Sequence, residues 1–123
     1  MENKITLLYV DDEILNLTLF KHNFKKNYNV LTAESGEDGL KILKENQDIS
    51  VVISDMKMPG INGVEFVRKA KNNFPDISYY ILTGFDINDE IANALNEKII
   101  EKYFRKPFKK KEIEDSIKLI FSN

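Results

Sequence analysis

Four apolar runs of this chain each lead into a polar side chain that could do chemistry. The run at residues 5–10 is followed by two acids, the run that starts at Val51 leads to a third, and two later runs close on a hydroxyl and on an amine. These side chains are Asp11, Asp12, Asp55, Thr83 and Lys106. Because oxygen ligands without His or Cys suit a hard divalent cation, the three acids are candidate ligands for Mg²⁺.

Asp55 is the candidate nucleophile of this set. Three converging carboxylates repel one another by about 4 kcal/mol for each pair at about 4 Å and an effective dielectric of about 20, so a positive group has to lie among them. A divalent cation and Lys106 supply that charge and would offset the negative charge on phosphoryl oxygens, while Thr83 can donate a hydrogen bond to one of them. The set therefore suits phosphoryl transfer, with an aspartyl phosphate as the product.

The composition fits one compact domain over residues 1–123. The chain is 42% hydrophobic, and domains often span roughly 100–150 residues. Its formal net charge is −2, from 18 basic and 20 acidic residues, and this balance argues against direct binding to nucleic acid. The absence of cysteine excludes disulfides and thiolate metal sites, and no N-terminal apolar stretch has the length of a signal peptide or a membrane span. We therefore expect a soluble, cytoplasmic protein.

Strand and helix patterns alternate along the chain. Apolar runs of strand length recur at residues 5–10, 28–33, 49–54, 78–83 and 103–105. Between and after them, helical spacing of apolar residues predicts five helices, marked by Leu17, Phe20 and Phe24; Leu40 and Leu43; Val67, Ala70 and Phe74; Ile87, Ile91 and Leu95; and Ile113, Ile117 and Ile120. The first and third runs are apolar nearly throughout, which is typical of central parallel strands. The pattern predicts an open, doubly wound α/β sheet, in which ligands bind outside the carboxyl ends of the strands.

Four motifs occur in an order and at a spacing that together are specific. They are Val10-Asp11-Asp12-Glu13, then residues 53–63 (Ile-Ser-Asp-Met-Lys-Met-Pro-Gly-Ile-Asn-Gly), then Leu82-Thr83-Gly84, then Lys106-Pro107-Phe108. With these motifs the chain resembles the receiver domains of two-component response regulators, and in particular the stand-alone, single-domain type. The resemblance covers essentially the whole chain. It implies a flavodoxin-like, five-stranded parallel sheet in the strand order 2-1-3-4-5 with five helices.

The resemblance also implies a role for each site residue. Asp55 would be the phosphoacceptor and would hold Mg²⁺ together with the acidic pair, Asp11 and Asp12, and with the backbone carbonyl of Lys57. Lys106 would pair with the phosphoryl group, and its peptide bond to the next residue, a proline, is expected to be cis.

By the same resemblance, phosphorylation would act as a switch. Thr83 would turn toward the phosphate, and Tyr103 would follow from an exposed to a buried rotamer. The face built from the fourth helix, fifth strand and fifth helix, roughly residues 86–121, would contact a downstream protein in trans. A sensor histidine kinase or a histidine phosphotransfer protein would dock near residues 14–18. We expect a signalling protein, a monomer or a phosphorylation-dependent dimer, that catalyses only its own phosphorylation and dephosphorylation and is not otherwise an enzyme.

Three other functions fit parts of the pattern. A pseudo-receiver would use the same fold to bind proteins without phosphorylation, although it has no evident need for mutually repelling acids. A flavin-binding electron carrier would need a phosphate loop where this chain has Asp11, Asp12 and Glu13, whose charge would repel a phosphate. A phosphatase with an aspartyl nucleophile would want a second acid two residues after Asp55, and Lys57 stands there.

Two segments depart from the usual pattern of the family. Ile99 and Ile100 stand near the position where receivers commonly have Gly-Ala, and they are expected either to help bury the fourth helix or to expose one apolar contact. Three lysines at residues 109–111 lie where the last helix begins, the unfavourable end of the helix dipole for positive charge. They form either a solvated face or part of a docking surface.

Overall fold

The computed structural model describes residues 4–84 and 86–121, in which strands and helices alternate as predicted. The strands are β1 (Ile5–Val10), β2 (Tyr28–Ala33), β3 (Ile49–Asp55), β4 (Ser78–Thr83) and β5 (Lys102–Arg105). The helices are α1 (Ile14–Phe24), α2 (Gly36–Glu45), α3 (Gly63–Asn73), α4 (Asp89–Asn96) and α5 (Lys110–Phe121). In the part of the chain so described, no helix combines the length and the apolar character that crossing a bilayer requires.

The five strands form one parallel sheet in the order β2-β1-β3-β4-β5. This order confirms the predicted fold, and it places β1 and β3 in the interior of the sheet, as their apolar sequences indicate. The chain runs from β1 to β2 on one side and then crosses to β3 on the other. The topological switch, where ligands bind in such sheets, therefore lies between the carboxyl ends of β1 and β3.

The pairing of β1 with β3 is irregular near its start. Thr6 lies opposite Ile49, whereas the next residue of β1, Leu7, lies opposite Val51. From there the register is continuous until Val10 lies opposite Ser54. The irregularity therefore sets which residues of the two strands stand side by side at their carboxyl ends.

The two faces of the sheet carry different cores. Helices α1 and α5 cover one face, which is rich in buried aromatic side chains: Tyr9, Phe20, Phe24, Tyr28, Tyr80 and Phe104. Helices α2, α3 and α4 cover the other face, which is mainly aliphatic and includes Val52, Val64, Val67, Ile81 and Ile91. Because both faces are covered, the interior strands are buried almost throughout.

The predicted helical stripes face these cores except at the start of the fourth helix, where the prediction is wrong. Helix α4 begins at Asp89, and Ile87 lies in the preceding loop with 42% of its surface exposed. The side chain of Asn88 accepts a hydrogen bond from the backbone N–H of Ile91 at 2.8 Å. Because this N-cap fixes the first turn, the helix starts after Ile87. Strand β5 begins at Lys102, one residue before its predicted start.

The two isoleucines that stand near the usual position of Gly-Ala lie just after the end of α4. Lys98 has a φ of 60°, in the left-handed region. The backbone N–H of Ile99 then donates to the carbonyl of Ala94 at 2.9 Å, a contact typical of a helix C-cap. Ile100 is buried and Ile99 is half-buried against the aliphatic core. Both side chains therefore help to bury α4.

Candidate functional site

The carboxyl ends of β1 and β3 bring three acids together. Asp11 and Asp12 directly follow β1, and Asp55 is the last residue of β3. One carboxylate oxygen from each of the three lies within 4.8 Å of the others. Asp11 is fully buried, Asp55 is 6% exposed, and Asp12 faces solvent. The predicted convergence of the acids is therefore present, with one open side.

Lys106 lies between two of these acids. Its Nζ is 3.2 Å from Oδ2 of Asp11 and 3.3 Å from Oδ2 of Asp55. The lysine follows β5, and its backbone N–H donates to the carbonyl of Thr83 at 2.8 Å, which ties it to the end of β4. The peptide bond between Lys106 and Pro107 is cis, as expected. The ammonium group thus supplies part of the positive charge that the acids require.

Burial and charge act in opposite directions on the ionisation of Asp55 and Lys106. Burial raises the pKa of Asp55 above its ordinary value, Lys106 lowers it, Asp11 raises it, and a backbone hydrogen bond from Lys57 lowers it; the net shift is upward. Burial lowers the pKa of Lys106, but the carboxylates of Asp55 and Asp11 raise it further, so the net shift is again upward. Lys106 therefore stays an ammonium group in this site.

Asp11 is held by donors that the sequence reasoning missed. The hydroxyl of Tyr9 donates to Oδ2 of Asp11 at 2.6 Å, and the amide of Asn16 donates to the same oxygen at 3.2 Å. The backbone N–H of Glu13 donates to the other oxygen at 3.0 Å. Burial, followed by the bond to Asp11, raises the pKa of Tyr9 well above its ordinary value. Strand periodicity could have pointed to Tyr9, because residues two apart in a strand face the same side.

The loop after Asp55 enters α3 through close backbone contacts. The N–H of Gly63 donates to the carbonyl of Met56 at 2.8 Å. A side chain at position 63 would collide with the backbone carbonyl of Asp55 and would come within 2.9 Å of the Cα of Met56. Asn62 caps the helix, and its side chain and that of Glu65 form a reciprocal capping box. Asp55 is therefore backed by a tightly packed helix start.

The other predicted site residues lie around this edge in different environments. Thr83 ends β4 and is buried, and Gly84 after it leaves open space, since a Cβ there would have Lys106 Cδ at 4.0 Å as its neighbour. The side chain of Lys57 is exposed. Tyr103 is half-buried against the aliphatic core.

Three polar bridges connect α4 and the loop before it to other elements. Asn62 donates to both carboxylate oxygens of Glu90 at 3.1 Å. The guanidinium of Arg68 in α3 donates to both carboxylate oxygens of Glu97 at 3.0 Å, and Arg105 of β5 pairs with Asp86 at 2.8 Å. Most of the side chains involved are partly or largely exposed.

The donor set fits a hard cation. The clustered ligands are carboxylate oxygens, and one of the three acids is open to solvent. Magnesium binds through few carboxylates and keeps several waters. Asp11, Asp12 and Asp55 are therefore suitable Mg²⁺ ligands by their chemistry and their arrangement.

Comparison with known proteins gives the same reading. A family model for the response regulator receiver domain matches residues 7–118. The chain is 32% identical over 106 residues to a chemotaxis protein CheY homolog of Campylobacter jejuni, covering 83% of this chain and 81% of that protein. It is 28% identical over 117 residues to the hydrogenase transcriptional regulatory protein HoxA of Cupriavidus necator, covering 95% of this chain and 24% of that protein.

One solved structure with the same fold is described as a metal complex. The response regulator protein TrrA from Thermotoga maritima, in complex with Mg²⁺-BeF, matches with a TM-score of 0.81 and 28% identity, covering 95% of this chain and 99% of that one. The chain spans about a quarter of the length of curated relatives such as HoxA, so the activities of those whole proteins are not transferred to it. With its acidic cluster and a family match over residues 7–118, the chain belongs to the response regulator receiver domain family.

Proposed function

We propose that residues 1–123 act as one receiver domain that accepts a phosphoryl group on Asp55 in a magnesium-dependent reaction. Receiver domains are signalling domains, and phosphorylation of an aspartate is their general function. The observation that carries the assignment to this residue is the meeting of Asp55, Lys106 and the acidic pair at the switch point of the sheet. Among the three acids, Asp55 is the last residue of a central strand and contacts Lys106, whereas Asp11 is also held by hydrogen bonds from Tyr9 and Asn16.

In the proposed reaction, a carboxylate oxygen of Asp55 attacks the phosphorus of a phosphohistidine in the donor protein. A bond between Asp55 and phosphorus forms as the bond between phosphorus and the donor's imidazole nitrogen breaks, and the imidazole keeps the electron pair. Lys106 shifts its hydrogen bonds from the carboxylates to the phosphoryl oxygens. Thr83, one strand away, donates its hydroxyl to another of these oxygens. Such positioning and charge neutralisation account for most of the catalysis in phosphoryl transfer.

Asp11, Asp12 and Asp55, with the backbone carbonyl of Lys57, would hold Mg²⁺. When bound, the ion neutralises negative charge on the phosphoryl oxygens. The protein's own contribution is to hold three carboxylates close together. When the ion is absent, Lys106 partly offsets the repulsion between these carboxylates.

The donor is proposed to dock over α1. Ile14, Leu15 and Leu19 in this helix are 65%, 67% and 47% exposed. A groove of about 580 Å³ next to them is lined by Leu19, Lys106 and Phe108, among other residues. An apolar surface beside Lys106 suits a sensor histidine kinase or a histidine phosphotransfer protein that brings its phosphohistidine to Asp55.

The output is proposed to run through α4, β5 and α5. Thr83 ends the strand that precedes α4, and Tyr103 lies in the neighbouring strand. Rotation of Thr83 toward a phosphoryl group would leave space into which the half-buried Tyr103 turns. A downstream protein that prefers this arrangement would then bind more tightly to the phosphorylated form.

The test is intact mass after incubation with acetyl phosphate and Mg²⁺. The native protein should gain one phosphoryl group, whereas Asp55→Asn and a sample with the metal chelated should gain none. If Asp55→Asn gains the same mass as the native protein, the assignment of the acceptor is wrong. If the native protein neither gains mass nor binds beryllofluoride, the pseudo-receiver function replaces the proposed one.

A further inference from the structure

Asp11 is a fully buried carboxylate whose two oxygens are unequally occupied. Oδ2 accepts hydrogen bonds from Tyr9 at 2.6 Å and from Asn16 and Lys106 at 3.2 Å each. Oδ1 accepts the N–H of Glu13 at 3.0 Å. An ionised carboxylate offers about four lone-pair positions, two on each oxygen. Among the residues that the structure describes, the donors therefore fill Oδ2 and leave accepting capacity on Oδ1.

The hydroxyl of Tyr9 is the most closely placed of these donors, and its ring is fixed. Tyr9 is 1% exposed. Its ring stacks on that of Phe20, with centroids 4.1 Å apart and an interplanar angle of 12°. A ring held in this way cannot turn its hydroxyl away from Asp11 without disrupting the aromatic core. The bond to Asp11 is therefore pre-organised by the stacking of Tyr9 on Phe20.

Lys106, in contrast, has two alternative partners. Its ammonium also contacts Asp55 at 3.3 Å, and in the proposed reaction it moves to the phosphoryl oxygens. When Lys106 leaves, Oδ2 of Asp11 loses one donor but keeps Tyr9 and Asn16. Asp11 is fully buried. If Lys106 left and no other donor held Oδ2, the charge of the Asp11 carboxylate would be poorly compensated and the carboxylate would be free to rotate.

We propose that Tyr9 is a positioning residue for the magnesium site. Its hydroxyl holds Oδ2 of the Asp11 carboxylate, so that Oδ1 would remain available to a cation, and it keeps this orientation when Lys106 moves to a phosphoryl group. This inference rests on the proposed function. Partners that orient a metal ligand typically account for 10- to 100-fold in metal affinity.

The test compares Tyr9→Phe with Tyr80→Phe. Both changes remove a hydroxyl from a buried, stacked tyrosine in an interior strand, but within the described residues the Tyr80 hydroxyl has no hydrogen-bond partner. We expect Tyr9→Phe to raise the Kd for Mg²⁺ about tenfold, measured by NMR titration of the unphosphorylated protein. Tyr80→Phe should leave the Kd unchanged.

Two further readouts separate positioning from a merely structural role. The ¹³C resonance of the Asp11 carboxyl should shift in metal-free Tyr9→Phe and should not shift in Tyr80→Phe. In a Lys106→Met background, Tyr9→Phe should raise the Kd by a larger factor than in the native background, because Oδ2 of Asp11 then loses two donors and keeps Asn16.

If Tyr9→Phe leaves the Kd for Mg²⁺ unchanged, the inference is wrong, even if the variant unfolds at a lower urea concentration than the native protein. An equal factor in both backgrounds overturns the claim that Tyr9 substitutes for Lys106. Native protein that binds no Mg²⁺ at millimolar concentration overturns the proposed function, and the inference with it. Normal Mg²⁺ binding with no effect of Tyr9→Phe overturns the inference alone.

Discussion

Helices α3 and α4 cover the same face of the sheet and follow neighbouring strands. They differ in the caps and buried contacts that hold them to the rest of the protein. Helix α3 has 11 residues, a capping box and five buried residues, and its first residue packs against the backbone of Asp55. Helix α4 has 8 residues, a single side-chain cap and two buried residues, Ile91 and Ala94. Polar bridges between partly exposed side chains also join Glu90 and Glu97 to Asn62 and Arg68, and the loop before α4 to β5.

This difference places the more firmly packed helix after Asp55 and the less firmly packed one after Thr83. The acceptor side is held by buried contacts, which have to be lost together. The Thr83 side leads into a helix with few buried contacts, and such segments open at low free energy. A switch needs a chemical centre that stays in place and a neighbouring element with two arrangements of similar stability. Here the firmly packed α3 supports the centre, and α4, with only two buried residues, is the neighbouring element that the proposed switch would use.

The largest expected effect comes from adding a methyl group beneath Asp55. Gly63→Ala would bring a Cβ into contact with the Asp55 carbonyl and within 2.9 Å of Met56 Cα, and backbone atoms can move little. We expect the free energy of unfolding to fall by about 3 kcal/mol, measured by urea denaturation.

Gly84→Ala is the matched control at the start of the loop that leads to α4. The nearest atom to its Cβ would be Lys106 Cδ at 4.0 Å, so the free energy of unfolding should change by less than about 0.5 kcal/mol. Equal destabilisation by the two changes would show that the acceptor side is no more tightly packed than the α4 side.

The helix caps give the next largest effect. Asn62→Ala removes the cap of α3 and the contact with Glu90, whereas Asn88→Ala removes only the cap of α4. Each lost cap should cost about 1 kcal/mol. Amide hydrogen exchange should become faster in both helices for Asn62→Ala and in α4 alone for Asn88→Ala. Faster exchange of α3 amides in Asn88→Ala would contradict the independence of α4.

The smallest effect is a pH dependence of the bridge between α3 and α4. A hydrogen bond from Arg68 lowers the pKa of Glu97 below its ordinary value. The pair therefore supports the folded state at pH values above the ordinary pKa of Glu97, and this support is lost as the pH falls through the lowered pKa of the folded state. At these low pH values, the amides of α4 in the native protein should exchange faster relative to the amides of the other helices.

Glu97→Gln is the comparison for this titration, because it removes the ionisable group and keeps the size of the side chain. The extra acid sensitivity of α4 should be absent in that variant. It should also shrink at high salt, since both side chains are largely exposed and their attraction is screened. If α4 amide exchange has the same pH dependence in the native protein and in Glu97→Gln, this bridge does not stabilise α4.

Much of the fold could be predicted because its signals are local. Apolar runs such as residues 49–54 and the stripe of Leu17, Phe20 and Phe24 gave the elements and their buried faces. The start of α4 was missed because Ile87 fits the helical period, whereas the Asn88 cap that excludes it depends on one side-chain hydrogen bond.

The meeting of the acids with Lys106 was predictable because parallel strands present their carboxyl ends at one edge. The environment of Asp11 was predictable only in part, because strand periodicity places Tyr9 on the same side, whereas the position of its ring depends on packing against α1. Tyr9 is an ordinary apolar strand residue in the sequence, and its hydroxyl reaches Asp11 in a ring position fixed by Phe20. The polar bridges of α4 could not be predicted either. Arg68 and Glu97 are of residue types that are common on protein surfaces, and their partners depend on the tertiary structure.

The register shift at the start of β3 determines on which face of the sheet Asp55 lies. Had the pairing continued without interruption from Thr6 opposite Ile49, Val10 would face Ile53 instead of Ser54. A slip of one residue exchanges the two faces of a strand, so Asp55 would then stand out of step with Asp11. The extra residue in the first half of β3 therefore acts at the opposite end of the strand, where it brings Asp55 into step with Asp11.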